Sequence, residues 1–253
     1  MTTTDGVGSF QQATGRSLED TSGAGQRRYR AFQLELIRPH LGRSVIEVGA
    51  GLGEFAAQLT GLDRHVVTDL DPHAVEALAT RFADRPEVTA RVLDLAAWDA
   101  DHDRADDLGG PVDSVLAINV LEHIEDDRGT LRALSRLVRP GGTVVMWVPG
   151  YMQLYGDFDR AVGHVRRYTP STLTASFVAA GLDPVDVRPV NLLGGVAWWA
   201  TVRRAGVGTP SPRLVAVYDQ VVVPVTRTLE RRVVPPFGQS ILGVARVREP
   251  SAS

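Results

Sequence analysis

Short apolar runs, separated by glycine-rich turns and by segments of helical periodicity, recur along residues 44–247 of the chain. Runs of about four to eight apolar residues bounded by turn residues are typical of buried β-strands. Strands joined by helices form βαβ units, in which the strands run parallel. We therefore predict an α/β fold with a doubly wound, seven-stranded, mostly parallel sheet. The predicted strands are Ser44–Val48, His65–Asp69, Val88–Leu93, Asp113–Asn119, Thr143–Val148, Leu182–Val190 and Ser240–Val247.

Several predicted helices carry recognisable end signals. Arg27–Leu41 has apolar residues at helical spacing and contains Pro39, which helps to end it. Asp71 is a predicted N-cap, and Pro72 occupies the first position of a helix that continues to Phe82. The other predicted helices are Glu54–Leu59, Thr130–Val138 and Ser171–Ala180.

A chain of 253 residues fits one α/β domain, here 26–250, with two additions. Residues 1–25 are rich in Thr, Ser, Gly, Gln and Asp, and we expect a disordered or mobile N-terminal arm there. Loops as long as 149–169 usually carry function, so we expect a substrate loop. The segment 191–238 is expected to form a helical insertion between the last two strands.

Composition excludes several classes of enzyme. The chain has no cysteine, and all 27 basic residues are arginine. These absences exclude disulfides, thiolate nucleophiles, cysteine-ligated metal centres, a P-loop lysine and a Schiff-base lysine. The net charge of -3 argues against a nucleic-acid partner. The chain starts without a signal-peptide pattern, and its apolar stretch Asn191–Val202 is shorter than the ~20 residues of a membrane-spanning helix, so we expect a cytoplasmic protein.

The most informative segment is Val45–Phe55, in which a buried strand ends in Gly49, Gly51 and Gly53. Glycines let the backbone turn tightly and let a ligand approach closely. The third glycine comes four positions after the first, whereas the dinucleotide fingerprint G-x-G-x-x-G requires five. Glu47 precedes this turn, and its carboxylate suits a ligand that carries an ammonium and a sulfonium better than a pyrophosphate.

Acidic residues follow the next two predicted strands. Asp69 lies 18 residues after Gly51, where a carboxylate can accept hydrogen bonds from both ribose hydroxyls of a nucleoside, and Leu70 can pack on the adenine. Asp94, followed by Leu95, can accept the adenine amino hydrogen. Their joint placement, more than either acid alone, indicates a nucleoside site.

These residues resemble those of the class I S-adenosylmethionine-dependent methyltransferase family, in order from about Arg27 to Val247. The stretch Asn119–Ile124 (NVLEHI), RPGG, GHxRRY and a late GQS resemble a bacterial subgroup of small-molecule type. Leu52 and Glu54 depart from the common pattern without removing a cofactor contact. The resemblance implies S-adenosylmethionine as cofactor, bound by Glu47, Gly49, Ala50, Gly51, Asp69, Leu70, Asp94, Leu95, Asn119 and Val120.

Methyl transfer from a sulfonium requires a base only when the acceptor is protonated. His123 is the best candidate because it follows the fourth strand, although it can equally hydrogen-bond the loop or stack beneath the cofactor. His164 and Tyr168 are further catalytic candidates, and Glu122 is expected to face the loop. We expect no metal ion, since no acids and histidines stand at ligand spacing.

The substrate loop and the insertion contain the candidate acceptor-binding residues. Arg166 and Arg167 can grip an anionic substrate, or they can pair with Asp157 and Asp159 and lock the loop. Tyr155 and Trp198 are candidate substrate contacts. The apolar run Leu214–Val225 leaves core packing, a homodimer contact and peripheral membrane contact open.

We therefore expect a methyltransferase that acts on an oxygen or nitrogen of a small molecule, in the manner of secondary metabolism. One alternative is a lipid-linked or glycan acceptor, for which the insertion supplies an apolar cradle. Another is a non-catalytic S-adenosylmethionine-binding partner protein. A nucleic-acid methyltransferase fits less well, because NVLEHI stands where an NPPY-like run would follow the fourth strand.

Overall fold

The computed structural model describes residues 26–95, 106–204 and 211–249, so the arm predicted for 1–25 lies outside the described residues. The strands are β1 (Ser44–Val48), β2 (Arg64–Asp69), β3 (Val88–Val92), β4 (Val112–Ile118), β5 (Val138–Pro149), β6 (Asp183–Val190) and β7 (Ser240–Arg246). The α-helices are α1 (Arg27–Ile37), α2 (Pro72–Arg81), α3 (Asp127–Ser135), α4 (Asp157–Ala161), α5 (Pro170–Ala179), α6 (Leu192–Trp198), α7 (Pro212–Val217) and α8 (Val223–Glu230). Arg38–His40, Leu121–His123 and Met152–Leu154 form 3₁₀ turns, while Trp199–Arg204 and Tyr218–Val222 are π-helical.

All seven strands form one sheet, in the order β3-β2-β1-β4-β5-β7-β6. The first five strands pair in parallel, and β7 runs antiparallel to both β5 and β6. The chain therefore has the predicted Rossmann-like α/β fold with a mostly parallel sheet. The strand order reverses between β1 and β4, and open α/β sheets bind their ligands at such a switch point, outside the carboxyl ends of the strands.

Most predicted elements are confirmed to within five residues at each end, the largest difference being β5, which starts at Val138 and not at Thr143, and two helices are corrected. Helix α2 starts at Pro72 as predicted, and the Asp71 side chain accepts the His73 backbone N–H. The segment predicted as the helix Glu54–Leu59 forms only turns. The helix predicted for Thr130–Val138 is α3, which starts three residues earlier because the Asp126 carboxylate caps it, and Val138 already belongs to β5.

The two faces of the sheet pack against different helices. Ile46 and Val48 share one apolar cluster with residues of α3 and α5, while Val45 shares another with Phe32 and Ile37 of α1. Successive residues of a strand point to opposite faces, so one short strand contributes to both layers. Because helices cover both faces, the carboxyl ends of the strands are left for polar chemistry.

The insertion is attached to the N-terminal helix by a group of contacts that we call the insertion latch. The Asp219 carboxylate accepts the backbone N–H groups of Arg28 and Tyr29, at 3.2 and 2.8 Å, and so caps the start of α1. Glu35, close to the end of α1, pairs with Arg231 of the insertion at 2.7 Å. Both ends of α1 are therefore held by residues 219–231.

The outer side of the insertion presents apolar side chains to solvent. Leu214, Val217, Val221 and Val225 follow one another at spacings of three or four residues, and each is 45–59% exposed. They form one exposed face, which we call the valine stripe, along the helical segments from Pro212 to Glu230. Among the described residues, no helix combines the length and the hydrophobicity needed to cross a bilayer.

Candidate cofactor and acceptor site

The glycine turn after β1 has the backbone that the sequence predicts. Gly49, Gly51 and Gly53 have φ angles of +69°, +56° and +78°, in the left-handed region that favours glycine. A Cβ on Gly49 would lie 2.5 Å from Cγ2 of Val120, which follows β4. The turn therefore packs closely against the end of β4, and only glycine fits there.

Asp69 holds this turn in place from the end of β2. Its carboxylate accepts the Gly51 N–H at 2.9 Å and the Asp71 N–H at 3.0 Å, one on each oxygen. An ionised carboxylate has about four lone-pair sites, so two remain for the hydroxyls of a ribose. Leu70, the next residue, is 48% exposed, as expected of an apolar surface for a base. These features fit a nucleoside at this edge of the sheet.

The other predicted cofactor residues lie at the ends of neighbouring strands. Asp94 and Leu95 follow β3, and Asn119 and Val120 follow β4, while Ala50 donates its N–H to the carbonyl of the last but one residue of β2 at 2.8 Å. Asn119 is exposed and has a φ of +53°, a conformation that asparagine tolerates better than most residues. Four adjacent strands, β3, β2, β1 and β4, thus bring the predicted cofactor residues to one edge.

Glu47 is the predicted cofactor residue with the most enclosed side chain. Its carboxylate Oε2 lies 3.1 Å from Nε2 of His65 on β2, and both side chains are buried. The structure therefore places Glu47 in a buried pair, and its contact with a cofactor stays a prediction.

A polar cluster lies directly beside the glycine turn. Val120, which contacts Gly49, precedes the 3₁₀ turn that carries Glu122 and His123. The loop 149–169, predicted to be a substrate loop, brings His164 to this turn, with its ring centroid 4.7 Å from that of His123. Nε2 of His164 lies 3.7 Å from Oε1 of Glu122, and Nδ1 of His164 lies 2.7 Å from the carboxylate of Asp159. The structure thus unites two predicted catalytic histidines at the carboxyl edge.

Burial shifts the protonation of two members of this cluster. Glu122 is fully buried, and desolvation raises its pKa to about 8. Its carboxyl group faces the loop 149–169, because Oε1 lies 3.7 Å from Nε2 of His164. Burial, and secondarily the nearby His164, lowers the pKa of His123 to about 4. His123 is consequently neutral at pH 7 and has a lone pair to accept a proton or a ligand.

The structure does not support Tyr168 as a catalytic residue. Its side chain is only 2% exposed, and its hydroxyl donates to Asp127 at 3.1 Å. Burial and the neighbouring Asp127 carboxylate raise its pKa above the usual range of tyrosine. Arg166 pairs with the same carboxylate at 3.1 Å, so this predicted substrate residue is engaged in holding the loop on α3.

Arg167 is also engaged in structure rather than exposed for an anionic substrate. Its guanidinium donates to both carboxylate oxygens of Asp159, at 2.8 and 3.1 Å, and both residues are buried. The bidentate pair confirms the loop-locking alternative for Arg167. It also positions Asp159 against His164, as described above.

Two aromatic residues predicted to contact substrate pack along the same loop. The Tyr155 hydroxyl donates to the His164 carbonyl at 2.8 Å, and the Trp198 indole N–H donates to the Leu154 carbonyl at 3.2 Å. Trp198 also lies 5.4 Å from the Arg167 guanidinium. Both rings are half-buried, so each retains some surface for an acceptor.

The sequence did not reveal His65 or Asp127, whose roles depend on tertiary neighbours. It also shows no metal-ligand spacing, yet the fold brings Glu122, His123 and His164 together, each with one possible ligand atom within 4.8 Å of the others. The available sequence signal is that NVLEHI and GHxRRY both follow strands of the parallel sheet. Two such segments meet at one edge of a parallel sheet even when they are far apart in the chain.

Several known proteins that this chain resembles are described as methyltransferases. A family model described as a methyltransferase domain matches residues 46–144. The chain is 27% identical over 127 residues to an uncharacterized methyltransferase of Mycobacterium tuberculosis, and the match covers 50% of this chain and 47% of that protein. The chain thus spans about half the length of the first curated relatives it matches. A second protein of that species, described as a probable S-adenosylmethionine-dependent methyltransferase, is 26% identical over 201 residues, which are 74% of this chain and 69% of the relative.

Solved structures show the same fold at low sequence identity. A chain from the Haloferax volcanii complex between the Trm112 methyltransferase activator and a methyltransferase has a TM-score of 0.63 and 19% identity, with 98% of this chain and 100% of that chain covered. The N-methyltransferase NodS of Bradyrhizobium japonicum, in complex with S-adenosyl-L-homocysteine, has a TM-score of 0.52 and 15% identity, with 88% and 86% covered. The chain therefore has the fold of these structures, and its sequence is similar to a methyltransferase domain over residues 46–144.

Proposed function

We propose that this chain transfers a methyl group from S-adenosylmethionine to an oxygen or nitrogen of a small-molecule acceptor. The observation that carries the proposal is the carboxyl edge itself. A glycine turn held by Asp69 lies on the same edge as Asp94 and Asn119, and it contacts the segment that leads to His123. The residues proposed to bind the nucleoside therefore lie next to His123, which is proposed to remove a proton from the acceptor.

S-adenosylmethionine, when bound, supplies a methyl group on a positively charged sulfur, which an acceptor displaces in line. The chain has to hold the acceptor at the correct angle, exclude water and remove a proton where the acceptor carries one. His123 is neutral and half-buried at this edge, which suits the removal of a proton. The two ends of the substrate loop are held together, because the Tyr151 backbone N–H donates to the Tyr168 carbonyl at 2.7 Å.

The first experiment is calorimetric titration of the purified chain with S-adenosylmethionine, S-adenosylhomocysteine and NAD in parallel. We expect micromolar binding of the first two and no binding of NAD. Binding of NAD alone would refute the assignment of the glycine turn. Incubation with S-adenosylmethionine and pools of hydroxylated or amine acceptors then tests turnover, since each transfer releases one S-adenosylhomocysteine. If the cofactor binds and no acceptor is methylated, a non-catalytic partner protein becomes the better assignment.

The valine stripe favours a second candidate, in which the acceptor is lipid-linked. Four exposed aliphatic side chains on one helical face form an apolar patch, and an apolar helical face is one way in which proteins bind the interface of a bilayer. Co-sedimentation with vesicles of neutral and anionic phospholipid tests this candidate. Val221→Asp should abolish binding, whereas Val178→Asp is the matched control, because Val178 is a similarly exposed helical valine on α5. Absence of binding by the unaltered chain would leave the small-molecule proposal.

A further inference from the structure

The side chains of Glu122, His123 and His164 form a donor set of which the proposed methyl transfer uses only His123. One oxygen and two imidazoles converge within 4.8 Å, although the residues come from two separate segments, 122–123 and 164. One carboxylate with two histidines is a ligand set of catalytic zinc sites and of other divalent transition-metal sites. Proton removal by His123, as proposed above, does not explain why Glu122 is placed here.

Glu122 has a carboxylate that the described part of the chain leaves without a hydrogen bond. The residue is fully buried, and neither of its side-chain oxygens has a hydrogen-bond partner there. A buried carboxylate in this state is costly and rare in native proteins, and coordination of a cation would satisfy it. One oxygen of Glu122 faces His164, with 3.7 Å between Oε1 and Nε2.

His164 is oriented as a metal ligand. Its Nδ1 lies 2.7 Å from Asp159, a distance that suits an N–H donated from Nδ1 to that carboxylate, and the tautomer with this N–H turns the Nε2 lone pair toward Glu122. An Nε2 lone pair and a carboxyl oxygen that face each other can share either a proton or a metal cation. Histidines that bind metals commonly donate their second ring N–H to a carboxylate in this manner. The buried Arg167 fixes Asp159 in turn through its two hydrogen bonds.

We propose that Glu122, His123 and His164 bind one divalent transition-metal ion of the Zn²⁺ class, with Asp159 as the positioning residue. In a tetrahedral site with bonds of about 2.1 Å, ligand atoms lie about 3.4 Å apart. The three candidate atoms lie within 4.8 Å of one another, so rotation of the side chains has to bring them closer by up to about 1.4 Å. Half-buried His123 gives the ion access from the crevice. Three protein ligands leave a coordination position for water or for an oxygen of the acceptor. This proposal departs from the sequence-based expectation that the protein binds no metal ion.

Metal binding is measured on the full chain without S-adenosylmethionine or acceptor, so its outcome is independent of methyl transfer. The protein is treated with EDTA, freed of chelator and titrated with ZnCl₂ in a calorimeter, and the bound metal is counted by mass spectrometry after desalting. We expect one Zn²⁺ per chain. Glu122→Gln and His164→Gln should each weaken binding at least about tenfold, and Asp159→Asn should weaken it about 10- to 100-fold.

Two controls separate the site from surface binding and from misfolding. His73→Gln removes an exposed histidine that lies 3.8 Å from Glu76, and it should leave the affinity unchanged. His123→Gln changes a half-buried ligand, so it tests the site if the buried variants fail to fold. CoCl₂ should produce visible absorption in the unaltered chain and not in the His164 variant. The proposal is overturned if the unaltered chain retains no Zn²⁺, if His164→Gln binds as tightly, or if only MgCl₂ binds.

Discussion

Asp69→Ala is the substitution that tests the cofactor site most directly. The change removes a half-buried carboxylate that accepts two backbone N–H groups and leaves two lone-pair sites for the ribose hydroxyls of the proposed cofactor. We expect S-adenosylhomocysteine to bind far more weakly, and the folded chain to survive. Asp69→Asn keeps the shape of the side chain and loses its charge. Its affinity for S-adenosylhomocysteine should lie between those of the unaltered chain and Asp69→Ala.

The size of the effect follows from the hydrogen bonds that are lost. Hydrogen bonds to a charged group contribute roughly 1.5–3 kcal/mol each, so two ribose hydrogen bonds contribute about 3–6 kcal/mol. Since about 1.4 kcal/mol is a factor of ten, the dissociation constant should rise by about two to four orders of magnitude. Loss of the contacts to Gly51 and Asp71 should also lower the stability of the fold by about 1–3 kcal/mol, which is less than the ribose value because water can reach these two partly exposed residues and replace the lost acceptor.

The assay is calorimetric titration with S-adenosylhomocysteine, together with thermal unfolding of each variant. Asp71→Ala is the matched control, because Asp71 stands two residues away and its carboxylate caps α2. That variant should lose about 1 kcal/mol of stability and keep the affinity for S-adenosylhomocysteine. If Asp69→Ala binds within about fivefold of the unaltered chain while it remains folded, Asp69 is not the ribose contact and the assignment of the edge is wrong.

Three further substitutions test other parts of the molecule. Tyr168→Phe removes one hydrogen bond to Asp127 and should lower the melting temperature by about 2–4 °C, with affinity for S-adenosylhomocysteine unchanged; a loss of affinity would return Tyr168 to the site. Burial would raise the pKa of Asp113, but the backbone N–H groups of Arg43 and Ser44 outweigh it and hold that pKa below its usual range. This stabilisation is present above the unfolded pKa of about 3.9 and is lost as the pH falls through the folded value, so Asp113→Asn should unfold with a flatter acid limb in circular dichroism. His123→Ala should slow turnover of an identified acceptor about 10²- to 10⁴-fold without weakening cofactor binding, and equal losses in both would make His123 structural.

The sequence predicts the sheet well because burial determines strands locally. Each central strand is a short apolar run with turn residues on both sides. For Ser44–Val48, the predicted first and last residues are therefore those of the observed strand. The start of α3 was missed because the Asp126 cap, a local signal, precedes a segment without apolar residues. The segment 54–59 has apolar residues, but it lies between Gly53 and Gly61. It forms isolated hydrogen-bonded turns and no continuous helix.

The two sides of the site differ in how far the sequence predicts them. The cofactor side depends on backbone conformation and on residues that directly follow strands, so Gly49 and Asp69 could be placed without the structure. On the acceptor side, Arg166 and Arg167 each had several acids within reach of the loop. The choice of Asp127 for one and Asp159 for the other depends on how the loop packs on α3, and no spacing in the sequence encodes that packing.

Because of the insertion latch, the first helix and the insertion can be exchanged between related proteins only together. Residues 219–231 cap and clamp α1, although about 190 positions separate them in the chain. A chimera that receives the insertion of a relative without the matching first helix would leave the N–H groups at the start of α1 without their acceptor. Successful grafts, and natural recombination, would therefore have to carry both segments together.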